Sequence, residues 1–325
     1  MFQTEIHRWL QSFSTPFLDL LMRVVSILGE EEFLAFVMLA VIFGVERKRG
    51  FLLTQVLLWT AIVTSVLKTA FALPRPVDVD ALVRDITGER DLPTPYTGRG
   101  AAGFLELLPP DVVAYFRSLP HISFGFPSGH CSTTVAVSGS AAILWRKPWL
   151  LFAAGSLVAL MPLSRMYLGR HFLADVLGGV ALGLLAVFVV VMIQRDAPTA
   201  RPIAFIRILN TIALFALPVL CLVAFPGAAA DEAAMLLGVN LGQAWSERVL
   251  PESSREAGRW TRILHVAIAM ATFIAFAAGF RFLFLALAGP GTPLLAIANR
   301  ILAPSCAIIT ASWAIHRISS SKQVM

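Results

Sequence analysis

The chemically richest feature of this chain is a histidine followed one helical turn later by an aspartate, at the mouth of a long apolar run. His171 and Asp175 close the stretch Ser164-Arg165-Met166-Tyr167-Leu168-Gly169-Arg170-His171-Phe172-Leu173-Ala174-Asp175, and the apolar run continues over 172–193. If the residues after His171 are helical, the two side chains share one face. The carboxylate then holds one imidazole nitrogen and leaves the other free to attack, as in an oriented nucleophile. Arg165 and Ser164 bring a cation and a hydroxyl to the same boundary. A group able to attack therefore stands beside groups able to bind an anion.

Pro127-Ser128-Gly129-His130 offers a second histidine, behind a Pro-Ser-Gly turn that opens another apolar run. A hydroxyl and free backbone N–H groups at a helix start bind anions. Lys68 and Arg75 close the apolar run that begins at Phe51, and Pro74 and Pro76 end any helix there. Lys68, Arg75 and Arg165 thus mark the ends of hydrophobic segments.

In residues, spacing and order, Lys68 with Arg75-Pro76, then Pro127-Ser128-Gly129-His130, then Ser164-Arg165 with His171 and Asp175 resemble a three-part family signature. It is that of the type 2 phosphatidic acid phosphatase (PAP2) superfamily, and the resemblance covers about residues 30–196. It implies a metal-independent phosphatase that needs no cofactor and works through a phosphohistidine. It further implies His171 as the nucleophile, Asp175 as its orienting partner and His130 as the general acid on the leaving oxygen. Lys68, Arg75, Ser128, Gly129 (through its N–H) and Arg165 would hold the phosphoryl oxygens.

The elements that must position these residues follow from composition. Of 325 residues, 57% are hydrophobic and 14% charged, with a mean hydropathy of +0.76. This is the composition of an all-α, polytopic transmembrane helical bundle; barrel alternation is absent. The net charge of +6 comes from Lys and Arg clustered in short loops, which points to membrane orientation rather than nucleic-acid binding. Cys131, Cys221 and Cys306 lie far apart and give no disulfide framework. Cys131 beside His130 lacks the ligand count of a zinc site.

Residues 1–29 pattern as an amphipathic, interfacial helix, interrupted by Pro16. Glu5, His7 and Arg8 break the apolar pattern before it reaches the length of a signal sequence. A PAP2-type catalytic core is expected over 30–202, with spans near 31–45, 51–73, 127–145, 149–163 and 171–193 and an outer-face insertion at 77–126. Within the insertion, 104–108 and 112–119 read as two short apolar-faced helices separated by Pro109-Pro110, either a small extramembrane cap packing on itself or an interfacial collar through which a lipid substrate slides. Additional C-terminal spans are expected over 203–325, near 203–225, 233–245, 263–287 and 294–315. The basic loops at Arg47-Lys48-Arg49, Arg146-Lys147 and Arg195 to Arg201 fall on one side, and every motif residue falls on the other. Arg281 and Arg300 read as charges snorkelling at the outer ends of late spans.

These readings point to an integral membrane phosphatase acting on a lipid phosphate or lipid diphosphate at the outer, periplasmic face of a bacterial inner membrane. A phosphotransferase of the same superfamily is the alternative. The nine-span layout also resembles the glucose-6-phosphatase branch, which implies a soluble phosphate ester. A transporter would show paired repeats and broken helices, and neither is present in the sequence.

Overall fold

Prolines and basic pairs punctuate the apolar runs, and the helices begin and end at them. The computed structural model describes residues 1–88, 94–119, 123–195, 204–249, 258–288 and 292–321. The expected interfacial helix forms as two, α1 (Glu5–Ser12) and α2 (Pro16–Ile27). Pro16 takes the first position of α2, and the Thr15 hydroxyl oxygen accepts the Leu18 N–H at 3.2 Å. A residue without a donor and a capped donor together fix that start.

The chain continues through α3 (Glu31–Gly44), α4 (Arg47–Phe71), the single turn α5 (Pro76–Val79) and α6 (Pro110–Ser118). Next come α7 (Gly129–Trp145), α8 (Pro148–Tyr167) and α9 (Leu173–Arg195). α7 stops at Arg146, which turns left-handed with φ 49°, and Pro148 starts α8. The last helices are α10 (Ala204–Ala224), α11 (Ala230–Val249), α12 (Arg259–Ala288) and α13 (Pro293–Ser321). Among the described residues there is no strand, and a helix stands at each segment expected to span. Five stretches of these residues are long and apolar enough to cross a membrane: Arg47–Val79, Pro148–Tyr167, Leu173–Gln194, Arg259–Leu287 and Pro293–Ile318. The chain is an all-α, polytopic membrane protein.

The helices gather into two compact units. The first comprises Met1–Leu34 and Val63–Arg195, the second Ala35–Ile62 and Asp196–Met325. In the first unit α7 and α9 touch backbone to backbone. A Cβ on Gly179 would lie 2.5 Å from the Ser128 carbonyl oxygen, and one on Gly183 would lie 2.7 Å from that of Ser132. Small residues one turn apart permit this approach, and it seats the start of α7 against the start of α9. The hydroxyls of Thr64 and Ser132, 2.8 Å apart, tie the end of α4 to the same place.

The insertion packs Val112, Val113 and Phe116 of α6 against Phe2, Val79 and Phe172. Of the two short helices expected there, only the second forms. Residues 104–108 are turn and irregular chain. A few residues between Gly103 and Pro109 are too few to offset the cost of nucleation, and each proline disfavours helical geometry in the residue before it.

In the second unit α11 and α13 pack just as closely, with a Cβ on Gly238 falling 2.3 Å from the Ile301 carbonyl oxygen. The Ser305 hydroxyl donates to the Gly238 carbonyl at 2.9 Å, and the hydroxyls of Ser246 and Ser312 meet at 3.1 Å. The Asn240 side chain accepts from Gln55 and donates to the Leu214 carbonyl. Arg300 lies 3.7 Å from Asp231, so this intramembrane arginine has a carboxylate at the end of its neighbour helix.

Candidate active site

His171 does not belong to a helix, contrary to the simplest reading of its spacing from Asp175. α9 begins at Leu173, so the contact joins a loop residue to the first turn of the helix. Nδ1 of His171 lies 3.6 Å from Oδ2 of Asp175, and both side chains are buried. Oδ2 accepts the Phe172 N–H at 2.8 Å, and the Asp175 carbonyl accepts the Ser128 N–H at 2.9 Å. Among the described residues, His171 Nδ1 and Asp175 Oδ1 have no hydrogen-bond partner. At 3.6 Å the two groups are within ion-pair distance but beyond hydrogen-bond distance.

The loop that carries His171 is held from outside itself. Gly169 has φ +79°, and a Cβ there would lie 2.7 Å from the Arg84 carbonyl oxygen. Glycine is required both by the left-handed backbone and by the space. Gln11 of α1 donates to the carbonyls of Tyr167 at 3.0 Å and Arg84 at 2.8 Å, and accepts the Arg84 N–H at 3.0 Å. His7 Nε2 donates to the His171 carbonyl at 2.9 Å. The Ser164 hydroxyl donates to the Met22 carbonyl at 2.6 Å, and Arg170 reaches Asp85 at 3.1 Å.

The cations converge on the imidazole. Arg165 is buried and donates to the Ser26 hydroxyl. Arg75 donates through Nη2 to the Ser123 hydroxyl at 2.6 Å, while its own N–H is held by Asp78 Oδ2 at 2.8 Å at the start of α5. Lys68 Nζ lies 3.6 Å from where a Cβ on Gly129 would stand, so it faces the start of α7. Ser128 is the buried N-cap residue of that helix. Arg165, Arg75, Lys68 and His130 all act electrostatically on the His171 ring. The eight residues that the resemblance assigns to catalysis and phosphate binding all lie in the first unit. Cations, a hydroxyl and a helix start make a cradle for a multiply charged anion.

Several groups at this site carry no motif. Glu30, at the entry to α3, places Oε1 3.0 Å from Nε2 of His130. That hydrogen bond holds the Glu30 carboxyl below the usual carboxylate range, against partial burial that raises it. Ser26, Gln11 and His7 come from the segment read as an interfacial helix, and Glu30 is the first residue of the expected core. The available signal was polarity: each is a hydrogen-bonding side chain set among apolar residues of α1, α2 or their exit.

An apolar groove of ≈ 610 Å³ is lined by Phe2, Leu73, Leu107, Leu108, Val113 and Arg117. Leu73 leads directly into Pro74-Arg75. The Phe2 ring meets Phe172, the neighbour of His171, edge-on at 5.5 Å.

The family model of the PAP2 superfamily matches residues 49–198. Phosphatidylglycerophosphatase B of Bacillus subtilis is 38% identical over 97 residues, which cover 27% of this chain and 46% of that protein. Lipid A 4'-phosphatase of Porphyromonas gingivalis is 30% identical over 79 residues, covering 23% of this chain and 34% of the relative. The matched stretches therefore span less than half of each relative. A crystal structure of a transmembrane PAP2-type phosphatidylglycerolphosphate phosphatase from Bacillus subtilis aligns with a TM-score of 0.44 and 24% identity, covering 61% of this chain and 87% of that one.

Proposed function

We propose, from the match of residues 49–198 to the PAP2 superfamily model, that the protein is a membrane phosphatase of that superfamily hydrolysing a lipid phosphate or lipid diphosphate through a phosphohistidine. The observation that carries this reading is the buried His171–Asp175 pair, 3.6 Å apart, in an imidazole environment on which the charges of Arg165, Arg75 and Lys68 act. A lipid substrate is supported by the apolar groove at Leu73 and by the names of the relatives, a phosphatidylglycerophosphatase and a lipid A 4'-phosphatase.

A phosphomonoester carries about two negative charges, and its transfer spreads charge over the equatorial oxygens. Lys68, Arg75 and Arg165, with the Ser128 hydroxyl and the Gly129 N–H, bind those oxygens with little reorganisation during the reaction. Because Nδ1 of His171 faces Asp175, Nε2 is the attacking atom. Its lone pair forms the N–P bond as the bond from phosphorus to the leaving oxygen breaks. Asp175 stabilises the positive charge that grows on the ring, and His130 gives the leaving oxygen its proton. Water then attacks phosphorus, the N–P bond breaks, and His130 takes up the proton that water loses. No step in this sequence calls for a metal. The clustering of Lys and Arg in Arg47-Lys48-Arg49 and Arg146-Lys147 supports a site at the opposite, outer face, which in a bacterial inner membrane is the periplasmic one.

The test is phosphate release by the purified protein in detergent with EDTA. The panel is phosphatidate, phosphatidylglycerophosphate, a polyprenyl diphosphate and glucose 6-phosphate, with His171→Ala as control. Release from a lipid that vanishes in the variant is the expected result. Release from the sugar phosphate alone removes the lipid assignment, and loss of activity in EDTA removes the metal-free one. A denaturing quench should trap acid-labile phosphate on the wild type and none on His171→Ala.

A further inference from the structure

A carboxylate stands where a phosphatase cradle has most need of cations. Glu30 Oε1 lies 3.0 Å from His130 Nε2, and its side chain keeps 38% of its surface open. The turn before it lies flat on the same ring: a Cβ on Gly29 would approach His130 Cδ2 to 2.9 Å. The Glu30 carbonyl accepts the Leu34 N–H at 3.0 Å, so its backbone is already set by the entry to α3. The charged groups that act on it are His130, Arg165 and Arg170. Arg165 serves the transferred phosphate in the reading above, and Arg170 is engaged by Asp85 at 3.1 Å. Once His130 has given its proton to the leaving oxygen, the Glu30 carboxylate is left as a negative charge on the side of the site that His130 occupies.

We propose that Glu30 determines specificity on the leaving-group side, favouring phosphomonoesters of hydroxyl-bearing alcohols over diphosphates. The inference rests on the phosphatase reading, in which His130 protonates the leaving oxygen. When that oxygen belongs to a glycerol or sugar unit, neighbouring hydroxyls donate to the Glu30 carboxylate. When it belongs to a diphosphate, the departing group is itself a phosphate, and its anionic oxygens meet a fixed like charge. The chemistry at phosphorus is the same in both cases; only the environment of the departing group differs.

The experiment compares kcat/KM for phosphatidylglycerophosphate and farnesyl diphosphate, using the full chain in detergent as wild type, Glu30→Gln and Glu30→Asp. The wild type should prefer the monoester. Glu30→Gln, which keeps the size and removes the charge, should move the ratio toward the diphosphate on the order of tenfold, and Glu30→Asp should leave the direction of preference unchanged. A Glu30→Gln protein that loses activity on both substrates by one common factor overturns the proposal, since Glu30 would then merely hold His130. A wild type that prefers the diphosphate overturns it without any variant. Failure of the wild type to release phosphate from either compound overturns the phosphatase reading instead, and this inference with it.

Discussion

The side chain of His7 donates through Nε2 to the backbone carbonyl of His171 across 2.9 Å, joining the first helix of the chain to the proposed nucleophile. Both residues are buried. His7→Ala leaves that carbonyl without a donor, which should cost about 1–3 kcal/mol. The turnover rate should fall together with the melting temperature. His7→Gln restores a donor and should recover most of both. Thermal melting and kcat measured on the same preparation check this, and an unchanged kcat in the alanine variant would separate His7 from the site.

Asp175→Asn keeps the shape but removes the charge that steadies a protonated imidazole. The expected result is a fall in kcat on the order of 10²–10⁴ with little change in KM, the signature of a group that acts on the transition state. Equal rates for wild type and variant would remove Asp175 from the reaction.

Ser26 accepts a hydrogen bond from the buried Arg165 guanidinium. Ser26→Ala leaves the arginine without that anchor. Inhibition by vanadate, a phosphate mimic, should weaken about five- to tenfold, consistent with the roughly 1–3 kcal/mol typical of such contacts. A titration of inhibition against vanadate reads this directly.

At Gly169 a methyl group meets two obstacles, a φ of +79° and the Arg84 carbonyl 2.7 Å away. Gly169→Ala should lower stability by about 1–3 kcal/mol from backbone strain alone. Because the strain sits two residues before His171, turnover should suffer as well. A melting temperature equal to that of the wild type would show that the loop has another conformation available.

The Glu30 carboxyl is held low by its hydrogen bond from His130, so folding favours its ionised form. Its contribution to stability is complete above the unfolded-state value of about 4.3 and is lost as the pH falls through the lower folded-state value. Glu30→Gln removes that contribution. The gap in melting temperature between wild type and variant should therefore close as the pH is lowered below about 4. A gap that stays constant with pH would assign the difference to packing.

The groups proposed for the chemistry were legible in the sequence, because each stands at a fixed spacing from the end of an apolar run. Lys68 and Arg75 stand around the end of α4, Ser128 and His130 around the start of α7, and His171 and Asp175 around the start of α9. The groups that hold them were not legible. His7 and Gln11 work on backbone carbonyls, which every residue carries, so no side-chain type marks the partner, and Ser164, legible as a hydroxyl at the site, donates to the Met22 carbonyl. Polar residues in α1 read instead as the wet face of an amphipathic helix. The missing first helix of the insertion is a different kind of error. The apolar residues Phe104, Leu105, Leu107 and Leu108 read as one helix face, yet a segment that short before two prolines does not nucleate a helix.

The family match starts at residue 49, whereas His7, Gln11, Ser26 and Glu30 all precede it. The matched segment is therefore not a portable cassette. A chimera that moved residues 49–198 into a related scaffold would carry every motif and leave the braces behind. Grafts that exchange catalytic cores between such enzymes should take α1, α2 and the entry to α3 along with the core.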